Sequence, residues 1–468
     1  MKDTAEKNSE LFVLSPDGSI QKVKEFVFPE GSDLGAFYKY ENSGSREFSN
    51  PPAHVKMMQG LDLVDYEPAA DSGNFRWMPK GHLLKRLMEG YVSGIVRDYG
   101  GMQVETPIMY SLEHPQLCKY LERFPARQYH LLSGEKKFFL RFAACFGQYM
   151  IMHDMQISYA DLPVRLYELT HYSFRREHGG ELAGLRRLRV FTMPDMHTLC
   201  ADNEQAKQEF FSQYLLCKQW MEGLGVKYVM ALRVVKEFFD ANREFVLGIA
   251  KDFGQQILLE VWDKRLFYFI LKFEFNVVDE QKKAAALSTV QIDVENTERF
   301  DITYVDKGGQ RKNPLMLHAS ISGSIDRNLY ALLECEARKI AEGGIPNLPY
   351  WLTPTQVVIT PITEKHLPTC IDLAAKIGKI ARVEVNDVLS DTLGKKIRTA
   401  ELRWVPFIVV IGDSEVRDNN LSARRRGIKG QSILGVDEFK AELVAKQGDK
   451  PFEPINWPIL ISKQPRFR

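Results

Sequence analysis

A thirteen-residue stretch, Glu342-Gly343-Gly344-Ile345-Pro346-Asn347-Leu348-Pro349-Tyr350-Trp351-Leu352-Thr353-Pro354, divides this chain by holding two glycines and three prolines together. Glycine ends helices. Proline lacks the amide hydrogen a helix needs and pushes the residue before it towards extended geometry. The segment therefore predicts an extended connection between two separately packed blocks. After it, Gln356 to Thr360, Ala381 to Val385 and Pro406 to Ile411 read as short buried strands, with helical stretches at about 363–378 and 391–402 between them. Strand–helix–strand alternation predicts βαβ units and a mainly parallel sheet, an α/β domain over 346–468.

The block over 51–345 reads differently. Leu83, Leu84, Leu87, Met88, Tyr91, Val92, Ile95 and Val96 recur at helical spacing after Gly81-His82, with Lys85, Arg86 and Glu89 on the other face. Pro107 ends a strand-like stretch from Met102 to Thr106, and Asp202 is a good N-cap for a helix through Phe210, Tyr214 and Trp220. Val164 to Thr170, Arg187 to Thr192, Leu266 to Phe275, Ser288 to Val294 and Pro314 to Ile321 are β-rich, with few helices between them. This predicts an α+β domain with a largely antiparallel sheet. Residues 1–50, rich in Gly, Ser and charge, read as a strand pair (Leu11 to Leu14, Phe26 to Phe28) and a loose connection. They are too short for a core of their own and are expected to be an N-terminal extension or connector.

Composition excludes several classes. At 468 residues, 44% hydrophobic, the chain can build two or three packed domains. With 62 Lys+Arg against 61 Asp+Glu it is not a globally basic protein, although one local basic face stays possible. No apolar run is long enough for a bilayer, and the start, MKDTAEKNSE, is too charged for a secretory signal. The six cysteines form no Cys-x-x-Cys pair, which suits free thiols in a reducing cytoplasm.

Two segments suggest chemistry. Phe174-Arg175-Arg176-Glu177-His178 is followed, across Gly179, Gly180 and Gly184, by Arg186-Arg187-Leu188-Arg189-Val190-Phe191. Arginine forks suit phosphate and carboxylate oxygens, and Phe191 offers a face for a purine; a solvated basic hairpin would read the same way. Further on, His318-Ala319-Ser320-Ile321-Ser322-Gly323-Ser324-Ile325-Asp326-Arg327 takes a strand through small residues into an apolar helix. Small residues admit a ligand close to the backbone, but they also make ordinary packing corners.

In this order the segments resemble the three signature motifs of the class II aminoacyl-tRNA synthetases. The helix 82–98 with its following strand and Pro107 corresponds to the first motif, usually a dimer interface. Phe174 to Glu177 with Arg187 and Phe191 corresponds to the second, and Gly323 to Arg327 to the third. The form His-x-x-x-x-Gly-Ser-x-x-Arg is similar to the threonyl branch of the class. That resemblance implies a zinc site at Cys145, His197 and His318. Each of these taken alone reads as an ordinary buried side chain.

The resemblance also implies roles. Arg175 would hold the α-phosphate of ATP and the amino-acid carboxylate. Glu177 would accept from the adenine amino group, Phe191 and Arg327 would sandwich the adenine, and Arg187 would reach the terminal phosphates with Mg²⁺. Zinc would bind the amino and hydroxyl groups of L-threonine, with Asp195, Gln291 and Tyr268 beside it. The C-terminal block resembles an anticodon-binding domain. From Gly394 to Gly430 it carries nine Lys/Arg against four Asp/Glu, and Glu415 and Arg424 match anticodon-reading positions for tRNA(Thr). Residues 1–50 resemble the connector that follows an editing domain in archaeal-type members, so seryl-tRNA would be cleared by a separate trans-editing protein. The expected protein is a homodimeric, cytoplasmic ligase. The alternatives are a prolyl or seryl synthetase, against which the Cys145, His197 and His318 set argues, and a non-catalytic synthetase-like tRNA-binding paralogue.

Overall fold

The computed structural model describes residues 9–43, 51–121, 127–465 and 467. They fall into two compact units. One comprises the described residues within 1–52, 70–74 and 92–331; the other comprises 53–69, 75–91 and the described residues from 332 onward.

The first unit is built on a ten-stranded sheet. Its strands are β1 (Ser9–Leu14), β2 (Ile20–Lys22), β3 (Met102–Gln103), β4 (Val164–Phe174), β5 (Val190–Cys200), β6 (Val229–Val235), β7 (Ile257–Trp262), β8 (Phe269–Val278), β9 (Ala284–Asp293) and β10 (Leu315–Ser320). The spatial order is β2-β1-β7-β6-β8-β9-β10-β5-β4-β3. Neighbours run antiparallel except β6 with β7 and β3 with β4. Helix α1 (Asp33–Ser43) packs at the β1 end, with Leu34 and Phe37 in a cluster that includes Val229, Val278 and Ala284. Helix α3 (Cys145–Asp154) lies on the His197 face of β5 and α4 (Asn203–Leu224) on the Thr198 face. Of α2 (Pro79–Asp98) the residues from 92, and of α5 (Ile325–Ala341) those to 331, belong to this unit. Asp202 caps α4 as its sequence predicts, accepting from the Gln205 amide at 2.9 Å, and Gly225 ends it at φ 70°. Trp220, fully buried on α4, donates to Asn328 Oδ1 on α5 at 3.0 Å, which fixes the two helices against each other.

The first expected hairpin differs in detail. Its second strand is Ile20–Lys22 rather than Phe26 to Phe28, because a turn around Gly18 (φ 86°) returns the chain early. Phe26 and Phe28 instead meet edge-on, and Phe28 stacks on Tyr38 of α1. The segment expected as a strand from Arg187 starts at Val190. The β-run beginning at Met102 ends at Gln103. Glu89, expected on the exposed face of α2, is buried.

The second unit contains a five-stranded sheet of β11 (Val357–Pro361), β12 (Val383–Val385), β13 (Phe407–Ile411), β14 (Asn420–Arg425) and β15 (Ser432–Gly435), in the order β12-β11-β13-β14-β15. Helices α6 (Leu367–Ile377), α7 (Leu393–Leu402), α8 (Asp413–Asp418) and α9 (Val436–Gln447) accompany it. The sheet is mixed rather than mainly parallel. β12, β11 and β13 are parallel, but Asn419, left-handed at φ 48°, stops α8 and sends β14 back antiparallel. The arginine run 424–426 is therefore largely a strand, not a free charged loop. Arg425 forks onto Glu442 (2.8 and 2.6 Å), and Arg426 donates to the carbonyls of Pro346 and Glu401.

Gly81, in the first turn of α2, shows how tight this unit is: a Cβ there would stand 1.9 Å from the carbonyl oxygen of Leu63. Gly81→Ala should therefore lower stability by about 1–3 kcal/mol, read by urea denaturation, with backbone rather than a flexible side chain forced to move.

Candidate active site

Strand alternation builds the site. Along β5, Phe191, Met193, Asp195 and His197 all line one cavity of about 290 Å³, one side chain in two, while Thr192, Met196 and Thr198 face the other way. Register then sets neighbours side by side. His318 on β10 is paired with His197 on one side and Gln291 on the other, and Lys272 of β8 lies opposite Gln291. Leu287, Thr289 and Gln291 continue the same alternation on β9.

Cys145 begins α3 and projects into this row. The ligand atoms of Cys145, His197 and His318 lie within 4.8 Å of one another. The two imidazoles stand 4.7 Å apart, nearly perpendicular. Their tautomers follow from their partners. Gln148 Nε2 donates to the Asp195 carbonyl (3.1 Å), so Gln148 Oε1 must accept from His197 Nδ1 (2.8 Å), leaving Nε2 as the donor atom. His318 Nε2 bonds Asp293 Oδ2 at 2.6 Å, leaving Nδ1. Burial, with His318 nearby, depresses the His197 pKa and keeps the ring neutral, while burial pushes the Cys145 thiol up. Asp195 is pushed up to about 7, by burial and then by Glu168 opposite it on β4. Its Oδ2 is buried without a hydrogen-bond partner. One sulfur and two oriented imidazoles beside an unsatisfied carboxylate oxygen fit a zinc ion with one open position. Tyr268 closes this end, its hydroxyl donating to Gln291 Oε1 at 2.7 Å and its ring 5.3 Å from His318.

Arginines line the other end. Arg175 follows β4 directly, and its Nε is buried without a hydrogen-bond partner; burial lowers its pKa, which Glu177 opposes. Arg327 enters from the first turn of α5, where Gly323 (φ 66°) lets the chain pass: a Cβ there would be 2.3 Å from the Leu287 carbonyl oxygen. Its guanidinium is held by the Arg186 carbonyl (3.1 Å) and the Ala286 carbonyl (2.8 Å). Burial brings the Arg327 pKa down to about 10, so it stays a cation. Beside the cavity, Arg127 Nη1 donates to both oxygens of Glu177 at 2.6 Å. Arg187 reaches Glu177 Oε2 at 3.0 Å and Glu181 at 3.0 Å. Against the cost of burial, Arg187 and Arg127 hold the Glu177 carboxyl below its usual range.

The structure thus brings Cys145, Arg175, Phe191, Asp195, His197, Tyr268, Gln291, His318 and Arg327 to one cavity. Glu177 and Arg187 stand next to it, paired with each other. Glu415 and Arg424 lie in the other unit. Glu415 accepts from the Gly412 amide at 2.9 Å, capping its own helix, and Arg424 lines a cavity of about 560 Å³ with Arg398, Leu402, Ile428 and Lys429. Sequence reasoning missed Gln148, Asp293 and Arg127. Gln148 had a signal: it is three residues past Cys145, on the same face of a helix. Asp293 had one too, two residues past Gln291 on one strand face. Arg127 had none.

The fold and this cavity together define a class II aminoacyl-tRNA synthetase core with an anticodon-binding partner domain. Residues 129–336 match the tRNA synthetase class II core domain (G, H, P, S and T), and residues 356–446 match the anticodon binding domain. The threonine–tRNA ligase of Pyrococcus horikoshii is 50% identical over 471 residues, covering 100% of this chain and 75% of that protein. The threonine–tRNA ligase of Methanosarcina mazei is 48% identical over 97% of this chain and 73% of that one. A crystal structure titled as the RNA binding domain of threonyl-tRNA synthetase from Cryptosporidium parvum superposes with TM-score 0.74 at 24% identity, over 86% of this chain and 98% of that one. This chain belongs to the threonine–tRNA ligase family.

A buried ion pair supports the Asp195 wall. Arg141 Nη1 donates to Glu168 Oε1 (2.7 Å) and Thr106 Oγ1 (2.8 Å), and both side chains are almost fully buried. Arg141→Met should cost roughly 3–5 kcal/mol in urea unfolding, because it strands the Glu168 charge.

Proposed function

We propose that this chain activates L-threonine with ATP, forming threonyl-adenylate and pyrophosphate, and transfers the threonyl group to tRNA(Thr). One observation carries the reading: Cys145, His197 and His318 converge opposite the unsatisfied Asp195 oxygen, in the same cavity as Arg175 and Arg327. Class II chemistry joins a carboxylate to the α-phosphate in line, and most of its rate comes from positioning and charge neutralisation. Arg175, buried with its Nε unpartnered among the described residues, holds the α-phosphate and the amino-acid carboxylate. Phe191 and Arg327 sandwich the adenine, Arg327 by cation–π contact. Glu177 Oε1 accepts from Arg127 and keeps a second lone pair for the adenine amino group. Arg187, with Mg²⁺ carried by ATP, serves the terminal phosphates. Bound zinc would supply an open coordination position for the amino and hydroxyl groups of threonine. Asp195 accepts from the substrate, and Gln291 and Tyr268 shape the same end. In the second unit, Glu415 and Arg424 read the anticodon.

A site built for a hydroxyl discriminates strongly against valine, which lacks one, by roughly 10⁴–10⁵. Serine keeps the hydroxyl and loses only a methyl, worth roughly 10–200-fold. Residues 9–43 are built into the edge of the catalytic sheet. The chain acts as a homodimer: Met102, Ile108, Met109, Leu131 and Leu132 are exposed apolar residues of the first unit that a second copy would cover. It works in the cytoplasm, where its six free cysteines stay reduced; among the described residues no helix is long and apolar enough to cross a membrane.

Threonine-dependent ATP–pyrophosphate exchange tests the reading, and exchange that followed proline, or none, would overturn it. Cys145→Ala should lose bound zinc, measured by metal analysis, together with threonine-dependent exchange, while sedimentation still shows a dimer. Gln148→Ala, which frees the His197 tautomer, should weaken metal affinity or exchange by roughly 10–100-fold. The purified protein should charge serine and fail to deacylate seryl-tRNA; efficient deacylation by this chain alone would remove the need for a separate editor.

A further inference from the structure

Helix α1 reaches the cavity through two chains of polar contacts, one ending at Arg327 and the other on the wall opposite Gln291. In the first, the Arg186 carbonyl that holds Arg327 Nε belongs to a buried arginine, 5% exposed. Arg186 Nη2 donates to the Tyr40 hydroxyl at 2.7 Å and to the Ala284 carbonyl at 2.6 Å, and its guanidinium lies 5.2 Å over the Tyr40 ring. In the second, Arg233 Nη2 donates to Glu41 at 2.8 Å while its Nη1 donates to Glu274. Glu274 also pairs with Lys272 at 2.6 Å, and both line the cavity. Tyr40 and Glu41 are consecutive, and each ends, one side chain removed, on the cavity wall. The helix that carries them is anchored by Leu34 and Phe37 in the core, so its end is a fixed point rather than a swinging one.

We propose that Tyr40 is a positioning residue for the nucleotide half of the reaction. Tyr40 fixes Arg186, and with it the carbonyl that sets the plane of the Arg327 guanidinium. Glu41, through Arg233 and the Lys272–Glu274 pair, ends instead where Lys272 lies opposite Gln291, away from Arg327. A stacking cation contributes only when its plane is set before the ring arrives, so a loosened Arg327 weakens ATP and leaves threonine recognition, at the Cys145 end, untouched. This rests on the functional reading above, in which Arg327 meets adenine.

The test uses Tyr40→Phe, Tyr40→Ala and Glu41→Gln in the full chain, with ATP–pyrophosphate exchange measured against both substrates and thermal unfolding alongside. Removing the Tyr40 hydroxyl takes one acceptor from a buried guanidinium. The KM for ATP should rise roughly 2- to 12-fold in Tyr40→Phe, more in Tyr40→Ala, with the KM for threonine unchanged. Glu41→Gln, whose chain ends opposite Gln291, is the control and should leave the KM for ATP unchanged. An unchanged KM for ATP in both Tyr40 variants, in a chain whose wild type exchanges normally, would overturn the inference alone. So would a rise in both KM values that tracks a fall in Tm, since that is a merely structural role. A wild type without threonine-dependent exchange would overturn the functional reading, and this inference with it.

Discussion

The antiparallel register of β5 against β10 is the constraint on which the site depends. It sets His197 directly across from His318 and, through β9, sets Gln291 on the other side. A one-residue slip would turn each of those side chains onto the α4 face, where Met196 and Thr198 now sit. Ladder hydrogen bonds along both strands hold that register, and so does the apolar packing that continues the same face beyond the histidines, with Leu199 and Met316 in one buried cluster. The Cys145, His197 and His318 trio is thus a product of sheet pairing plus one helix start, and the residues joined lie far apart in the chain.

Polar satisfaction supplies the rest of the order. Gln148, by giving its amide hydrogen to the Asp195 carbonyl, can only accept from His197. Asp293 does the same for His318 and is itself held by the Glu295 and Asn296 amides. These buried groups have their bonds, whereas Asp195 Oδ2 and Arg175 Nε do not. Buried polar atoms are rarely left this way. Several other buried atoms share that state, but among the described residues that line the cavity these two are the ones left so, one at each end.

Much of this was legible in the sequence, for physical reasons. The helix beginning near residue 82 and the one capped by Asp202 showed themselves through apolar periodicity and a capping side chain. The Gly/Pro stretch after Glu342 showed itself through what those residues forbid. The site residues were legible only by resemblance, since nothing local to Cys145 says that two histidines will reach it across a sheet. Other features were hidden because tertiary contacts decide them. Arg425 and Arg426 stand in the basic stretch from Gly394 to Gly430, yet Glu442 and two carbonyls draw them into packed structure. Phe26 to Phe28 had strand propensity, but stacking on Tyr38 suited them better. Glu177 gave no hint of Arg127, because the pair exists only once the chain has folded around it.

β5 carries Phe191 near one end and His197 near the other, on one pleated face. A strand advances about 3.3 Å per residue, so these six steps lay out a separation of roughly 20 Å that no side chain can alter. The strand is in effect a ruler, graduating the cavity from Phe191 near the arginines to His197 beside Cys145. A ruler can be relabelled but not lengthened. Evolution could exchange the residue at any single graduation and so retune one substrate, but an insertion between Phe191 and His197 would invert every mark beyond it.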